Sequence, residues 1–323
     1  MVVKKIINDS RRKYGYVRYI LSILLLILFI YLLLYKIDFI KIKKLFISAN
    51  WFFIGISFIF PLLSNIIKTF RWQVILKVVK KISFSNLFCG LGISQMITSL
   101  FPFRVGDVFQ VVYLNKREGI SKTDVISSML VYQVIDFFSF FFVYIIISFF
   151  VIFPIEFRKA IFISCGLFSL IFLLYLIFRR NLEFVIFKFS KFLGAKFSSL
   201  NDMMEIFSNI KLFSLIMSLT VVLWFLGILQ VFFIFKGFGI SLSLLMVLAY
   251  ISVPNLVTIV PSTPGFIGVW EYVAVNVLYL FGIEKEVALS CTMVHRFVGL
   301  SMVGILGLFC FAKEGFNIKI LRE

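Results

Sequence analysis

The chain has 323 residues, 62% of them hydrophobic and 15% charged, with 44 Phe and a mean hydropathy of +1.08. A soluble fold of this size has no core large enough for so much apolar surface, so the composition points to an integral membrane protein. The net charge of +18 does not argue for nucleic acid as a partner, because Lys and Arg sit in short loops between apolar runs, where they set orientation and meet anionic headgroups.

A basic start, Lys4, Lys5, Arg11, Arg12 and Lys13, precedes the first apolar run. No small-residue cleavage site follows that run, so it reads as a retained first span. Runs long enough for spanning helices of about 20 residues lie at 19–35, 51–67, 129–153, 160–178, 212–235 and 287–311. Two further apolar regions, 84–115 and 242–281, are each interrupted by a Pro/Gly motif. Lys and Arg number six before the first span, four in 36–50, five in 68–83, two in 154–159 and six in 179–211. Placing both termini in the cytoplasm puts the basic loops 68–83 and 179–211 on that side, as the positive-inside tendency requires, although the charges in 36–50 fit it less well. Cys89, Cys165, Cys291 and Cys310 lie inside apolar runs without metal-ligand spacing, so neither a disulfide nor a metal site is expected.

The two interrupting motifs are related. The first is Pro102-Phe103-Arg104-Val105-Gly106-Asp107; the second is Pro261-Ser262-Thr263-Pro264-Gly265, with Glu271 beyond it. After each comes a Gly-Ile-x-Lys start, and aligning the segments matches Gly119 with Gly282, Ile120 with Ile283, Lys122 with Lys285, Ser127 with Ser290 and Val131 with Val294. The reading is an all-α polytopic membrane protein of one transmembrane domain, 1–323. It has about six full spans and two re-entrant or broken helical hairpins, in repeats at about 84–153 and 242–311. Three spans separate the motifs, so the copies are expected to be inverted, an arrangement shared with many transporters. The stretch 108–114 rises only about 10 Å, which suggests a half-helix.

Ionisable residues inside apolar runs are costly and are candidates for function. Here they are Arg104, Asp107, Asp136, Glu271, His295 and Arg296. Pro264, Gly265 and Gly106 would open half-helix ends, Arg104 and Arg296 would offer positive charge to an anionic headgroup, and Asp107, Asp136 and Glu271 would position the arginines or relay a cation. The plainer alternative is a set of locking ion pairs, Arg296 with Glu271 or Arg104 with Asp136. His295 reads as a hydrogen-bonded packing residue. Arg71-Trp72 reads as an anchor at the membrane interface, and Gly304 with Gly307 as a site of close helix packing.

The motif at Pro102 to Asp107, the Arg71-Trp72 pair, and Pro261-x-x-Pro264-Gly265-x-x-Gly268-x-x-Glu271 followed by Arg296 together resemble the flippase-like membrane domain of bacterial lysylphosphatidylglycerol synthases and their stand-alone relatives. That resemblance implies a multi-pass inner-membrane protein with two re-entrant elements, related to proteins that move an aminoacylated phospholipid between leaflets. It would carry over Arg104, Asp107, Glu271 and Arg296. Two positions depart from it: Gln133 stands where relatives commonly have an arginine, and Phe266 where they usually have a second glycine. The leading expectation is a translocase of a phospholipid or lipid-linked headgroup, needing no cofactor. An ion-coupled solute carrier using Asp136 or Glu271, a membrane-embedded lipid transferase and a structural or regulatory partner are the alternatives. The longest polar connection, 179–211, is far shorter than a domain of about 50 residues. No catalytic dyad or paired carboxylates appear on an aqueous loop, so an enzyme is not expected.

Overall fold

The computed structural model describes residues 27–35, 37–101, 104–151, 205–257 and 263–314, with a few single positions besides. Residues 27–34 are helical and are followed by α1 (Phe39–Ser48), α2 (Trp51–Ser57), α3 (Ile59–Leu76), α4 (Phe84–Leu100), α5 (Val105–Glu118), α6 (Lys122–Ser148), α7 (Ile210–Gly237), α8 (Leu244–Val257), α9 (Val269–Leu280) and α10 (Lys285–Lys313). The polar residues between the runs start the helices. Asp38, Asn50, Ser121 and Asn209 each accept a backbone N–H of the following first turn, satisfying donors that have no partner within the helix.

Among the described residues four helices are long and apolar enough to cross a membrane: Trp51–Leu76 (α2 continued through Phe58 into α3), Lys122–Ser148, Ile210–Gly237 and Lys285–Lys313. They contain or overlap the expected spans 51–67, 129–153, 212–235 and 287–311. The expected span 19–35 is helical where described, and 160–178 lies outside the described residues except at isolated positions. One boundary is corrected. The second span runs to Leu76 rather than to residue 67, which moves Lys68 and Arg71 out of the basic loop and into the helix.

Ion pairs and hydrogen bonds define two ends of the bundle. At one, Lys41 pairs with Glu284 at 2.5 Å and Asn50 N–H donates to Gly237 O at 2.7 Å. At the other, Glu314 accepts from Tyr113 OH at 2.7 Å and pairs with Arg117, Lys313 donates to Ser85 Oγ at 2.8 Å, and Asn86 Nδ2 donates to Glu118 at 2.6 Å. Helix α10 joins these ends, a rise of about 43 Å at 1.5 Å per residue.

Between them lie two interrupted helix pairs. The hairpin α4–α5 has its open end beside Glu314, and the hairpin α8–α9 has its open end beside Glu284, after the short connection from α7. Each of these four helices rises only about 18–25 Å, less than a hydrocarbon core of about 30 Å. The tips meet: the turn Pro264–Phe266 packs on α4, where a Cβ added to Gly265 would lie 3.2 Å from Ser99 O. Within the first hairpin, a Cβ on Gly106 would overlap the Ser94 carbonyl oxygen and Thr98 Oγ1, so α5 starts against α4 only because residue 106 has no side chain. Helix α5 runs from Val105 to Glu118, longer than the apolar stretch 108–114, because its last turn is polar and exposed rather than absent.

Apolar packing holds this frame. Val231, Phe235, Tyr250, Trp270 and Val298 form one buried cluster, and Trp72, Leu87, Tyr113 and Val131 form another. Gly307 brings α10 against Met96 of α4, with Met96 Cβ 2.5 Å from the place of a glycine Cβ, whereas Gly304 meets open space. Of the glycine pair noted in the sequence, one makes a close helix contact.

Candidate functional site

Both breaks are built around left-handed backbone. Among the described residues, Arg104 (φ 54) and Phe266 (φ 58) are the non-glycine residues with positive φ, one at each break. Side chains rarely adopt this conformation, and its recurrence at two matched places marks both as constrained. Phe266 therefore occupies a backbone that glycine adopts without strain.

At the second break the polar groups satisfy one another. Gly268 N–H donates to Glu271 Oε2 at 2.7 Å, so the carboxylate caps the start of α9. Arg296 Nε donates to Glu271 Oε1 at 2.6 Å and its Nη2 to Gly265 O at 2.5 Å, with the guanidinium 5.4 Å from the Trp270 ring centroid. Arg296 thus ties the loop carbonyl and the helix cap to α10, about 17 Å along that helix from Lys285. The neighbouring His295 shares a contact with Tyr250 OH through Nδ1 at 3.0 Å and packs edge-on against Trp270. Thr292, on the same face as Arg296, accepts from Tyr250 OH at 3.5 Å.

The first break is open. Arg104 caps α5 without a side-chain capping bond, and its Nη1 lies 3.8 Å from Asp107, with the two side chains 39% and 33% exposed. Asp136 does not face Arg104. It pairs with Arg71 Nη2 at 2.6 Å. Arg71 Nη1 donates to Thr220 Oγ1 at 3.0 Å, and the guanidinium lies 4.1 Å from the Tyr132 ring centroid. At 1% exposure Arg71 is among the largest fully buried side chains. Trp72 is buried too, its Nε1 donating to Ser128 Oγ at 3.1 Å. Arg71-Trp72 is therefore corrected from an interface anchor to an interior contact that joins α3 to α6 and α7. Charge in an apolar run reads the same on paper whether its helix face meets headgroups or protein.

Residues 19–307 match the family described as the lysylphosphatidylglycerol synthase TM region. The chain belongs to this family. It is also similar to two UPF0104 membrane proteins of Methanocaldococcus jannaschii, at 27% identity over 88% of this chain and 92% of the relative, and at 26% over 67% and 93%. A UPF0104 membrane protein of Pyrococcus horikoshii is 24% identical over 82% of this chain and 88% of its own. No solved structure matches.

In this member of the lysylphosphatidylglycerol synthase TM region family, the sequence candidates fall into three groups. Glu271, Arg296, Gly265 and Trp270 form one constellation. Arg104, Gly106 and Asp107 form the start of α5. Asp136 lies on α6 with Arg71. The described residues of Pro264 place its backbone in the turn between the hairpin arms. Sequence reasoning missed Thr220 and Lys68 as neighbours of the Arg71–Asp136 pair, because Thr220 is a common residue in an apolar run and Lys68 sat at the misjudged end of a span. Among the described residues no group of three His, Cys, Asp or Glu could hold a metal ion.

Proposed function

We propose that the protein moves a phospholipid or lipid-linked headgroup between the leaflets of the cell's inner membrane, with both termini in the cytoplasm. The observation that carries this reading is the meeting of two short helix pairs, opening at opposite ends, at tips that hold Gly265 and Ser99 in contact. Paired broken helices meeting near the midplane are the usual framework for alternating access, since the same site is then approached from either face. The five matched positions support an inverted duplication. Gly119 and Gly282 both have positive φ, Lys122 and Lys285 both begin long helices, and Ser127 with Ser290 and Val131 with Val294 are buried.

On this reading Arg104 and Asp107, exposed at the first break, meet the headgroup, while Glu271 and Arg296 fix the second hairpin against α10. The family itself, described by a lipid-modifying synthase, supports a lipid as cargo. The protein acts without a catalytic group or cofactor of its own. Leaflet exchange of labelled anionic, cationic and zwitterionic phospholipids in proteoliposomes tests it. Acceleration by wild type that Arg104→Ala lowers is expected. Exchange no faster than in empty vesicles, with gradient-driven solute uptake instead, would replace the lipid by a soluble solute.

A further inference from the structure

Inside the span Trp51–Leu76, α3 carries a polar face of Asn65, Lys68, Thr69, Arg71 and Trp72, toward α6 and α7. Its charges do not balance. Among the described residues Asp136 is the one carboxylate acting on this face, against two basic side chains, Arg71 and Lys68. Arg71 takes the carboxylate at 2.6 Å, and among the described residues Lys68 has no ion pair or hydrogen bond. Lys68 and Arg71 are three residues apart on one helix, which sets their Cβ atoms about 5–6 Å from each other.

Two further groups are unsatisfied. Among the described residues the buried Arg71 Nε has no acceptor, although Nη1 and Nη2 of the same guanidinium are bonded, and the buried Asn65 Oδ1 has no donor while Nδ2 donates to Pro61 O at 2.9 Å. A buried donor without a partner costs stability, as does an unneutralised charge at membrane depth, so both mark this face as incomplete. The face is not sealed either: the Asp136 side chain is 34% exposed and Lys68 is only partly buried. Escape of the ammonium to headgroups is disfavoured by helix geometry. Lys68 lies about 12 Å from the Leu76 end of α3, and helical side chains lean toward the N-terminus, here toward the bilayer middle.

We infer that Lys68, beside the incompletely bonded Arg71, forms an intramembrane site for a phosphate oxyanion, the ligand being the phosphodiester of a lipid headgroup. A singly charged phosphodiester neutralises the excess cation and gives Lys68 the acceptor it lacks, and Arg71, held by Thr220, Asp136 and the Tyr132 face, supplies field without moving. The site rests on the translocase reading for its lipid, but binding is measured apart from transport.

The test uses the full chain in uncharged detergent micelles, titrated with phosphatidylglycerol, with diacylglycerol and with inorganic phosphate, and read by Trp fluorescence, since Trp72 lies one turn from Lys68. Wild type binds phosphatidylglycerol and not diacylglycerol. Lys68→Met, an apolar substitution that suits a spanning helix, weakens binding roughly tenfold or more, as expected for one charge-assisted hydrogen bond. Lys68→Arg restores it. Competition by inorganic phosphate with the same Lys68 dependence keeps the oxyanion site but assigns it to a free anion. Equal affinity of wild type and a folded Lys68→Met, or equal affinity for diacylglycerol, overturns the site. Lys68-dependent binding without leaflet exchange leaves the site standing and removes the translocase reading. Exchange with unchanged affinity in Lys68→Met does the reverse.

Discussion

The two breaks share a backbone device and differ in what satisfies it. At the second, Glu271 caps α9 and Arg296 binds both Glu271 and the Gly265 carbonyl, so these groups are held by residues of the same repeat. At the first, the position aligned with Arg296 is Gln133, the carboxylate of Asp136 is held by Arg71 from an earlier helix, and Arg104 and Asp107 remain partly exposed at 3.8 Å. One hairpin is thus latched, and the other is left open with its charges facing outward. Where one sequence copy keeps a feature that costs stability and the other neutralises it, the unneutralised copy is the better candidate for contact with a ligand.

The largest expected effect comes from the borrowed arginine. Arg71→Ala removes the buried guanidinium that joins Asp136 to Thr220; since the Asp136 side chain is 34% exposed and Lys68 lies on the same face, the loss should be about 2–4 kcal/mol, below that for a fully buried pair. Combining it with Asp136→Asn should recover much of that loss, and thermal unfolding in detergent compares the two. Recovery would show that the pair fixes α3 to α6; no destabilisation by Arg71→Ala would mean that the first repeat is not held from outside, and the contrast between the breaks would fail.

Next in size is Gly106→Ala. Its Cβ meets the α4 backbone at Ser94, which cannot yield without separating α4 from α5, so a loss of about 1–3 kcal/mol is expected. Gly304→Ala is the control, since a Cβ there meets nothing within 4 Å and should change stability by less than about 1 kcal/mol by the same unfolding measurement. Glu271→Gln follows. The one amide oxygen can still accept from Gly268 N–H only if the NH2 turns toward Arg296 Nε, so the charge and the Arg296 Nε bond are lost together while Arg296 keeps Gly265 O, for about 1–3 kcal/mol. A latch predicts that leaflet exchange falls only as far as stability does. Abolished exchange in a stable Glu271→Gln would make the second break a ligand site as well.

Much of the fold is legible in the sequence, because long apolar runs and Pro/Gly interruptions are read directly from hydropathy. The helix starts at Asn50, Ser121 and Asn209 and the interruption near residue 104 follow from local chemistry. The pairings do not. That Asp136 takes Arg71 and not Arg104 depends on how α3, α6 and α7 pack, and the 65 positions separating the partners carry no periodic signal of it. The end of α3 was missed for a related reason: Lys68 and Arg71 look like loop residues until their helix face is known to be covered. Glu271 and Arg296 were easier, since two ionisable residues in apolar runs each need a partner and their ion pair was among the alternatives, whereas the bond from Gly268 N–H to Glu271 shows only in the structure.

The smallest expected change in stability is also the sharpest test of the contrast. Arg104 holds a left-handed conformation that costs a non-glycine residue about 1–2 kcal/mol, and its separated, exposed pairing with Asp107 returns little. Glycine at this position removes the strain, though its greater freedom in the unfolded chain takes back part of the gain, so Arg104→Gly should raise stability by at most about 1 kcal/mol. A guanidinium retained on a backbone that suits glycine is explained by what it meets outside the protein. Leaflet exchange should therefore fall severalfold in Arg104→Gly while the unfolding temperature holds or rises, and Arg104→Lys should lie between. If exchange is unchanged in a stable Arg104→Gly, the open charges of the first break have no ligand to meet, and the asymmetry between the two hairpins is a matter of packing alone.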